Sequence, residues 1–250
     1  MSTGLLADAG RVVRLPPGGG PVVVRHPVPG FSERWVLPEE PVPESALHDL
    51  VLELLVLLLR AWAARVGRDA RVFRNLAIRV TESRPQLGFD PDVCVVEPAP
   101  PEPELLESLK LWEPAQRAPV LAFEVVSRNH PYKDYAESPA KCAAVGVAEL
   151  VVFDPLLAGP KALGGPQLLQ VWRRAADGGF DLAYAGSGPC RSETLDAWLV
   201  VTDAGSRLRM ADDAAGERLW PTPEEAERAA KEEALARIAG LESLLAKRDE

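Results

Sequence analysis

The chain has 250 residues, of which 47% are hydrophobic and 26% are charged, and its formal net charge is −9. This length and apolar content suffice for one domain of ordinary size with appendages, or for two small domains. The net charge argues against a protein that coats nucleic acid electrostatically, although it leaves room for a local basic cleft. Three widely spaced cysteines offer neither a disulfide framework nor a CxxC metal knuckle, which predicts a cytoplasmic setting.

The first elements in the chain are a Pro/Gly-rich arm and a long apolar helix. Residues 1–43 are punctuated by proline and glycine and predict an extended arm with few regular elements. Leucines and valines cover most of the segment 44–66, which predicts a largely buried helix with Gly67 as its C-cap. The most apolar stretch, 50–59, contains Glu53 and is too short and too charged to cross a bilayer, so we expect no membrane span.

Several strands and one short helix follow the long helix. The hydrophobic pattern predicts strands at 71–80, 91–96, 120–127 and 149–155, an Ala-rich helix at 135–147, and a hairpin formed by LLQVWRR and FDLAYAG. The stretch 98–119 is interrupted by prolines and predicts one or two helical turns. This order of elements predicts an α/β (α+β) fold with a central mixed sheet flanked by helices.

The charged tail, residues 209–250, predicts a helix that begins with a capping box. Thr222 is the N-cap, Pro223 follows at the first helical position, and Glu225 completes the box. Four apolar residues then recur at alternating spacings of four and three, as in a short coiled-coil seam: Ala234, Ile238, Leu241 and Leu245. Two heptads are compatible with a homodimer through this helix, and equally with a polar helix that docks on its own domain or frays.

Two carboxylates are candidates for a chemical centre. Glu124 lies in the near-continuous apolar run VLAFEVV, where an ionised side chain is costly unless it is paired or binds a cation. Asp92 begins the strand PDVCVV, and if the two strands are neighbours, both carboxylates reach the same end of the sheet. Together with the backbone carbonyl of Val125, they would offer oxygen ligands for Mg²⁺. Alternatively, an Arg or Lys pairs with Glu124, and Asp92 is an ordinary turn residue.

Three motifs carry a family resemblance through their order and spacing: DPDVCVV, PVLAFEVVSRNHPYKDY and AKCAAVGVAELVVFDP. They resemble the Uma-type restriction endonucleases, a bacterial branch of the PD-(D/E)XK nuclease superfamily, over residues 45–205. The resemblance implies a restriction endonuclease-like core in a domain at 44–208, with Asp92 and Glu124 as catalytic metal ligands. It also implies Mg²⁺, or alternatively Mn²⁺, as the ion and DNA as the substrate.

The lysine that this superfamily usually adds to the two carboxylates is missing from its expected positions. Two residues after Glu124, the usual position, the chain has Val126. Many relatives use a lysine of the following helix instead, four residues before a tyrosine. Those two positions correspond here to Ser138 and Cys142. The resemblance therefore leaves open whether the chain is catalytic.

Other side chains are candidates to complete the site. Lys141 lies in the Ala-rich helix but about one turn late, whereas Lys133 lies in the preceding loop beside Asp134, a further accessory candidate. His48, on the long first helix, is another accessory candidate, because that helix often lends a residue to the site in this superfamily. A histidine at such a position is more often a surface or half-buried residue than a ligand.

Two classes of function are compatible with these patterns. One is a Mg²⁺-dependent DNA endonuclease that hydrolyses phosphodiester bonds. The other is a catalytically degenerate nuclease-fold protein that acts as a nucleic-acid-binding or protein-interaction module, which the missing lysine and the acidic net charge favour. A lysine ammonium close to both carboxylates would favour the enzyme. Arginines on one rim, such as Arg71, Arg74 and Arg128, would favour DNA under either interpretation.

Overall fold

A computed structural model describes residues 12–14, 23–26, 31–37 and 45–246 of the chain. Within these ranges there are three α-helices: α1 (Ala46–Val66), α2 (Ser138–Val145) and α3 (Pro223–Ala246). The same ranges contain fourteen strands: β1 (Val12–Arg14), β2 (Val23–His26), β3 (Arg71–Arg74), β4 (Ala77–Arg79), β5 (Gly88–Phe89), β6 (Val93–Val96), β7 (Ser108–Lys110), β8 (Leu121–Val125), β9 (Glu149–Phe153), β10 (Leu169–Arg174), β11 (Phe180–Gly186), β12 (Cys190–Ser192), β13 (Ala197–Thr202) and β14 (Arg207–Ala211).

The central sheet has eight strands in the order β1-β2-β11-β10-β9-β8-β6-β3. Strands β8 and β9 run parallel, and the other neighbouring pairs of this sheet are antiparallel. The predicted hairpin is the antiparallel pair β10–β11. Two strands of the predicted N-terminal arm, β1 and β2, extend this sheet, while the rest of that arm, apart from 31–37, lies outside the described residues. The predicted mixed sheet is confirmed.

Helix α1 packs against one face of the central sheet. The hydroxyl of Ser45 caps it by accepting a hydrogen bond from the backbone N of His48 at 3.3 Å, and Gly67 ends it at a φ of 65°, as predicted. The small sheet β12–β13–β14 covers α1 from the other side, and both sheets share one hydrophobic core with the helix. Leu52, Leu55, Leu58 and Leu59 are therefore buried between two sheets, whereas Leu50 and Leu57 are 49% and 46% exposed. None of the helices in the described ranges is long and apolar enough to cross a membrane.

Helix α2 and the small sheet β5–β4–β7 contribute to a second core on the opposite face of the central sheet. Because successive side chains of a strand point to opposite faces, β8 serves both cores. Phe123 and Val125 belong to the core that contains α1, and Ala122 belongs to the core that contains α2. Glu124 shares the face of Ala122, so the strand directs its carboxylate toward α2.

The structure differs from the predicted elements in two segments and adds one sheet that was not predicted. The predicted strand 71–80 is divided into β3 and β4, because Asn75 adopts a φ of 51° that interrupts an extended chain. The stretch 98–119, predicted to hold only helical turns, contains a 3₁₀ turn at Pro103–Leu105 and also β7, which pairs in parallel with β4. The sheet β12–β13–β14 was not predicted, since its short strands carry little periodicity.

The C-terminal helix begins as predicted. The backbone N of Glu225 donates to Oγ1 of Thr222 at 3.2 Å, and the backbone N of Thr222 donates to Oε2 of Glu225 at 2.8 Å. These two bonds form the reciprocal capping box at the start of α3. Strand β14 crosses residue 208, and the division of the chain into domains 44–208 and 209–250 stays a prediction.

Candidate active site

Asp92 and Glu124 lie at the same end of the central sheet. In the antiparallel register Val93 pairs with Phe123, so Asp92 and Glu124 are the next residues along β6 and β8. Oδ2 of Asp92 accepts a hydrogen bond from the backbone N of Val125 at 2.7 Å. Asp92 is 5% exposed and Glu124 is 0% exposed. The two carboxylates are thus buried on neighbouring strands, which is the condition under which the sequence placed them at the same end of the sheet.

His48 reaches this end of the sheet from the first turn of α1. Its Nε2 lies 3.2 Å from Oδ2 of Asp92 and 3.0 Å from the carbonyl oxygen of Val125. Because both oxygens are acceptors, Nε2 carries the ring proton and donates it to them. The predicted accessory histidine therefore contacts two of the three groups that the sequence predicted as metal ligands.

Lys133 is the lysine whose ammonium reaches Glu124. Its Nζ lies 3.4 Å from Oε2 of Glu124 and 3.5 Å from Oδ1 of Asp134. The Lys133 side chain is 40% exposed, so it lies between the two buried carboxylates and the solvent. Lys133 begins a single π-helical turn, residues 133–137, that leads directly into α2.

Helix α2 brings Ser138 to Glu124, and Lys141 to a different partner. The hydroxyl of Ser138 donates a hydrogen bond to Oε1 of Glu124 at 2.9 Å. The Nζ of Lys141 lies 3.7 Å from the carboxylate of Glu137, one turn earlier in the chain. Ser138 stands where the family resemblance expects a lysine, and the sequence assigned it no role of its own. The signal for this contact was that Ser138 occupies the helix position from which relatives direct a lysine to the carboxylates.

Two buried carboxylate oxygens, Oε2 of Glu124 and Oδ1 of Asp134, have the ammonium of Lys133 as their shared partner, at 3.4 Å and 3.5 Å, and neither has a close hydrogen bond within the described residues. One ammonium therefore serves two buried carboxylates, and a bound cation would offset more of the cost of burying them. No three His, Cys, Asp or Glu side chains of the described ranges form a metal-binding group. A cation held by Asp92 and Glu124 would therefore need the carbonyl of Val125 and water as further ligands, which suits Mg²⁺.

Burial and charge shift the pKa values of this cluster. Burial raises the pKa of Glu124 well above its ordinary value, which the charge of Lys133 opposes and the charges of Asp92 and Asp134 reinforce. Burial likewise raises the pKa of Asp134 to about 7, again against the charge of Lys133. The charge of Glu124 is the main cause that raises the pKa of Lys133. Lys133 is thus held as an ammonium, and a second cation would favour the ionised carboxylates.

Asp90 and Tyr135 border the cluster, although the sequence patterns assigned them no role. Burial raises the pKa of Asp90, while the charges of Lys133 and Lys141 lower it, so Asp90 belongs to the same electrostatic group. The hydroxyl of Tyr135 donates to Oδ2 of Asp154 at 2.9 Å, directly after β9. Asp90 and Asp154 share a signal in the sequence that could have identified them: each is an aspartate followed by a proline next to a strand, in FDPDV and FDPLL respectively.

A cleft of about 510 Å³ opens at this cluster. Its lining residues come from the start of α1, the strand ends, and the segment between β8 and α2: Ser45, Leu47, His48, Asp92, Val125, Ser127, Arg128, Asn129, His130, Lys133, Asp134 and Leu156. Of the arginines predicted for a rim, Arg128 lines the cleft. Arg71 and Arg74, on β3, form ion pairs with Glu104 and Asp49 respectively.

Comparison with known proteins identifies the family. A family model described as "Uma2: Putative restriction endonuclease" matches residues 37–180. Among solved structures, the chain is similar to a putative nuclease belonging to DUF820 from Anabaena variabilis ATCC 29413, with 19% identity and a TM-score of 0.39. That similarity covers 53% of this chain and 65% of the other. No curated protein matches the chain. Because the family model spans more than half of the sequence, including Asp92 and Glu124, the chain belongs to the Uma2 family of putative restriction endonucleases.

Proposed function

We propose that this chain is a Mg²⁺-dependent DNA endonuclease that hydrolyses phosphodiester bonds in the cytoplasm. One observation carries the proposal: the fully buried carboxylate of Glu124 lies at the same end of the sheet as that of Asp92, and the ammonium of Lys133, 3.4 Å from Oε2, is shared with a further buried carboxylate, Asp134. A protein interior rarely keeps such a group without a ligand or a reaction that uses it. Membership of a nuclease family supports the same activity.

The residues that would hold the ion are Asp92, Glu124 and the carbonyl of Val125, with water completing the coordination. Mn²⁺ prefers the same oxygen ligands and would serve as well. When bound, such an ion lowers the pKa of a coordinated water and neutralises charge on the phosphodiester. His48 orients two of these groups, because its Nε2–H bonds to both Asp92 and the Val125 carbonyl.

Lys133 and Asp134 supply the remaining chemistry from the chain itself. The ammonium of Lys133 is partly exposed beside Glu124, where it can orient a water molecule or stabilise negative charge on a phosphate oxygen. Asp134, whose pKa is raised to about 7, can accept a proton near neutral pH. The usual lysine of the superfamily is thereby replaced by a residue of the π-helical turn.

A nuclease assay tests the proposal. Wild-type protein, Glu124→Gln and Asp92→Asn are incubated with supercoiled plasmid DNA and Mg²⁺ or Mn²⁺, with EDTA as the metal-free control. We expect metal-dependent nicking by the wild type and a loss of about 100-fold or more in both variants, because each removes a charge that the reaction requires. Circular dichroism checks that both variants remain folded. A wild type that cuts no DNA with either metal would contradict the proposal.

A catalytically degenerate nuclease-fold module is the second candidate, and specific observations favour it. Val126 occupies the usual lysine position, and two of the proposed metal ligands already accept hydrogen bonds from His48. This alternative predicts binding of nucleic acid or of a protein without cleavage. The same assay separates the two candidates when it is paired with a binding measurement on wild type and Glu124→Gln.

A further inference from the structure

We propose, on the basis of the proposed nuclease function, that Tyr135 is a positioning residue that holds the ammonium of Lys133 at Glu124. Lys133 is the first residue of the single π-helical turn 133–137, and Tyr135 lies in the middle of that turn. The turn is attached to the central sheet at two places. One attachment is to Glu124 in β8, and Tyr135 makes the other at the end of β9.

The wide geometry of the turn allows Lys133 and Ser138 to contact the same carboxylate. The Nζ of Lys133 lies 3.4 Å from Oε2 of Glu124, and the hydroxyl of Ser138 donates to Oε1 at 2.9 Å. In a regular α-helix, residues five apart point in directions that differ by about 140°. Here the backbone N–H of Ser138 donates to the carbonyl of Lys133, which is the bond between residues five apart that defines a π-turn. The widened turn therefore brings both side chains to Glu124.

Tyr135 fixes the middle of this turn through its hydroxyl and its ring. The hydroxyl donates to Oδ2 of Asp154 at 2.9 Å, lies 3.1 Å from the carbonyl oxygen of Gln167, and accepts a bond from the backbone N of Gln167 at 2.9 Å. The ring lies against Gly159 and Gly165, where an added Cβ would collide with it. Tyr135 is 2% exposed, and buried polar groups are costly when they lose a partner. These contacts therefore hold the turn in one place.

Asp154, the partner of the Tyr135 hydroxyl, belongs to the strand next to Glu124. It directly follows β9, in which Val152 is the partner of Glu124 in the parallel register with β8. Its carboxylate is 0% exposed and accepts two backbone N–H bonds from the following loop, at 2.9 Å and 2.8 Å. Asp154 and Glu124 are thus carried by one hydrogen-bonded pair of strands. The tyrosine consequently fixes the turn relative to the carboxylate that Lys133 contacts.

A double-mutant cycle tests whether Tyr135 acts through Lys133. Tyr135→Phe keeps the ring between the two glycines and removes the hydroxyl. In nicking of supercoiled plasmid with Mg²⁺, we expect this variant to lower kcat about tenfold and to change KM by less than about twofold. In the Lys133→Met background it should cause no further loss, because the ammonium that it positions is already absent. Independent contributions of the two residues would multiply instead.

Tyr184→Phe is the matched control. The hydroxyl of Tyr184 likewise donates to a backbone carbonyl, that of Gly188 at 3.0 Å, and accepts a bond from the backbone N of Gly188 at 2.9 Å. Tyr184 lies in β11 and does not line the cleft. This control should cut DNA within about twofold of the wild-type rate. Asp154→Asn, a second variant of the contact, should behave like Tyr135→Phe, and circular dichroism checks that each variant is folded.

A spectroscopic measurement in EDTA follows Lys133 without any reaction. The chain has six lysines, so protein labelled with ¹⁵N at the lysine side-chain nitrogen gives few ammonium signals. The signal of Lys133 is identified by its absence from Lys133→Met. We expect Tyr135→Phe to shift or broaden this signal, because the ammonium is no longer held beside its carboxylates. Tyr184→Phe should leave it unchanged.

The outcomes distinguish this inference from the nuclease proposal. If the wild type cuts DNA but Tyr135→Phe cuts it at the wild-type rate, or if the two losses multiply, the inference is overturned and the nuclease proposal stands. If no DNA is cut and the Lys133 signal responds to Tyr135→Phe but not to Tyr184→Phe, the nuclease proposal fails and the positioning of Lys133 stands. A Lys133 signal that responds to both tyrosine variants equally, or to neither, overturns the inference.

Discussion

Glu124 has two neighbours that stabilise a carboxylate in a buried strand. Lys133 pairs with it through charge and Ser138 donates a hydrogen bond to Oε1, whereas the charges of Asp92 and Asp134 oppose its ionisation. None of these residues belongs to β8 itself, so the strand sequence alone leaves the charge unexplained. Lys133 and Ser138 each lead to a separate experimental test.

Replacing Lys133 with Met should reduce DNA cleavage about 100-fold, because the ammonium 3.4 Å from Oε2 of Glu124 is lost. Lys141→Met is the matched control, since Lys141 pairs with Glu137, and its activity should stay within about threefold of wild type. Initial rates of plasmid nicking measure both effects. Equal losses in the two variants would remove Lys133 from the reaction.

Ser138→Ala should lower the free energy of unfolding by about 1–3 kcal/mol, because Oε1 of Glu124 loses its buried donor. Urea denaturation followed by circular dichroism measures the change. The control is Ser83→Ala, an exposed serine, which should change stability by less than about 0.5 kcal/mol. If the two variants are equally stable, the hydroxyl of Ser138 does not support the buried carboxylate.

At the level of elements, the start of α3 depends on a carboxylate with a shifted pKa. A hydrogen bond from Arg209, followed by one from the backbone N of Thr222, lowers the pKa of Glu225. A carboxyl group whose pKa is lowered in the folded state contributes stability above its unfolded value, here 4.5, and loses it as pH falls through the folded value. The cap of α3 should therefore weaken in acid.

Glu225→Gln should lower the melting temperature at neutral pH, and the difference from wild type should shrink as the pH falls below the unfolded pKa of 4.5 and through the lowered pKa of the folded state. Thermal melts followed by far-UV circular dichroism over a pH series measure this. Glu233→Gln, in the middle of the same helix, is the control and should show no such pH dependence. A Glu225→Gln difference that is constant with pH would contradict the role of the ionised carboxylate.

At the scale of the whole molecule, α3 presents an apolar face that the described part of the chain leaves exposed. Its large side chains are 52–65% exposed: Leu235, Ile238, Leu241 and Leu244. Arg237 and Glu242 flank the seam formed by Ile238 and Leu241, where they would pair between two parallel helices. We propose that a second copy of the chain covers this face.

Ile238→Asp should convert the proposed dimer into a monomer, because the charge would be buried in the seam. Ala236→Asp is the control, since it places the same charge about 160° away around the helix. Light scattering after size-exclusion chromatography measures the mass of each variant. A wild type that elutes as a monomer, or two variants with equal masses, would contradict dimerisation through α3.

Local patterns in the sequence predicted much of the fold. The all-round apolar surface of α1, its Gly67 cap, the β10–β11 hairpin and the capping box at Thr222 depend on residues that are close in the chain. Asp92 and Glu124 could likewise be selected as candidate site residues from local sequence, because each is a charged residue directly within or beside an apolar strand. The short sheet β12–β13–β14 lacked such a pattern, and its strands are held by packing on α1.

Only the tertiary structure decided which side chains surround the two carboxylates. His48 is 44 residues from Asp92 and 77 residues from Val125 in the chain, yet its Nε2 bonds to both. Lys133 and Lys141 were equivalent candidates in the sequence, and the path of the π-helical turn directs Lys133 to Glu124 and leaves Lys141 with Glu137. The physical reason is that periodicity and capping are local, whereas these contacts depend on how separate elements pack. The sequence by itself determined that a charge is buried in β8, and the packing of α1 and α2 determined its partners.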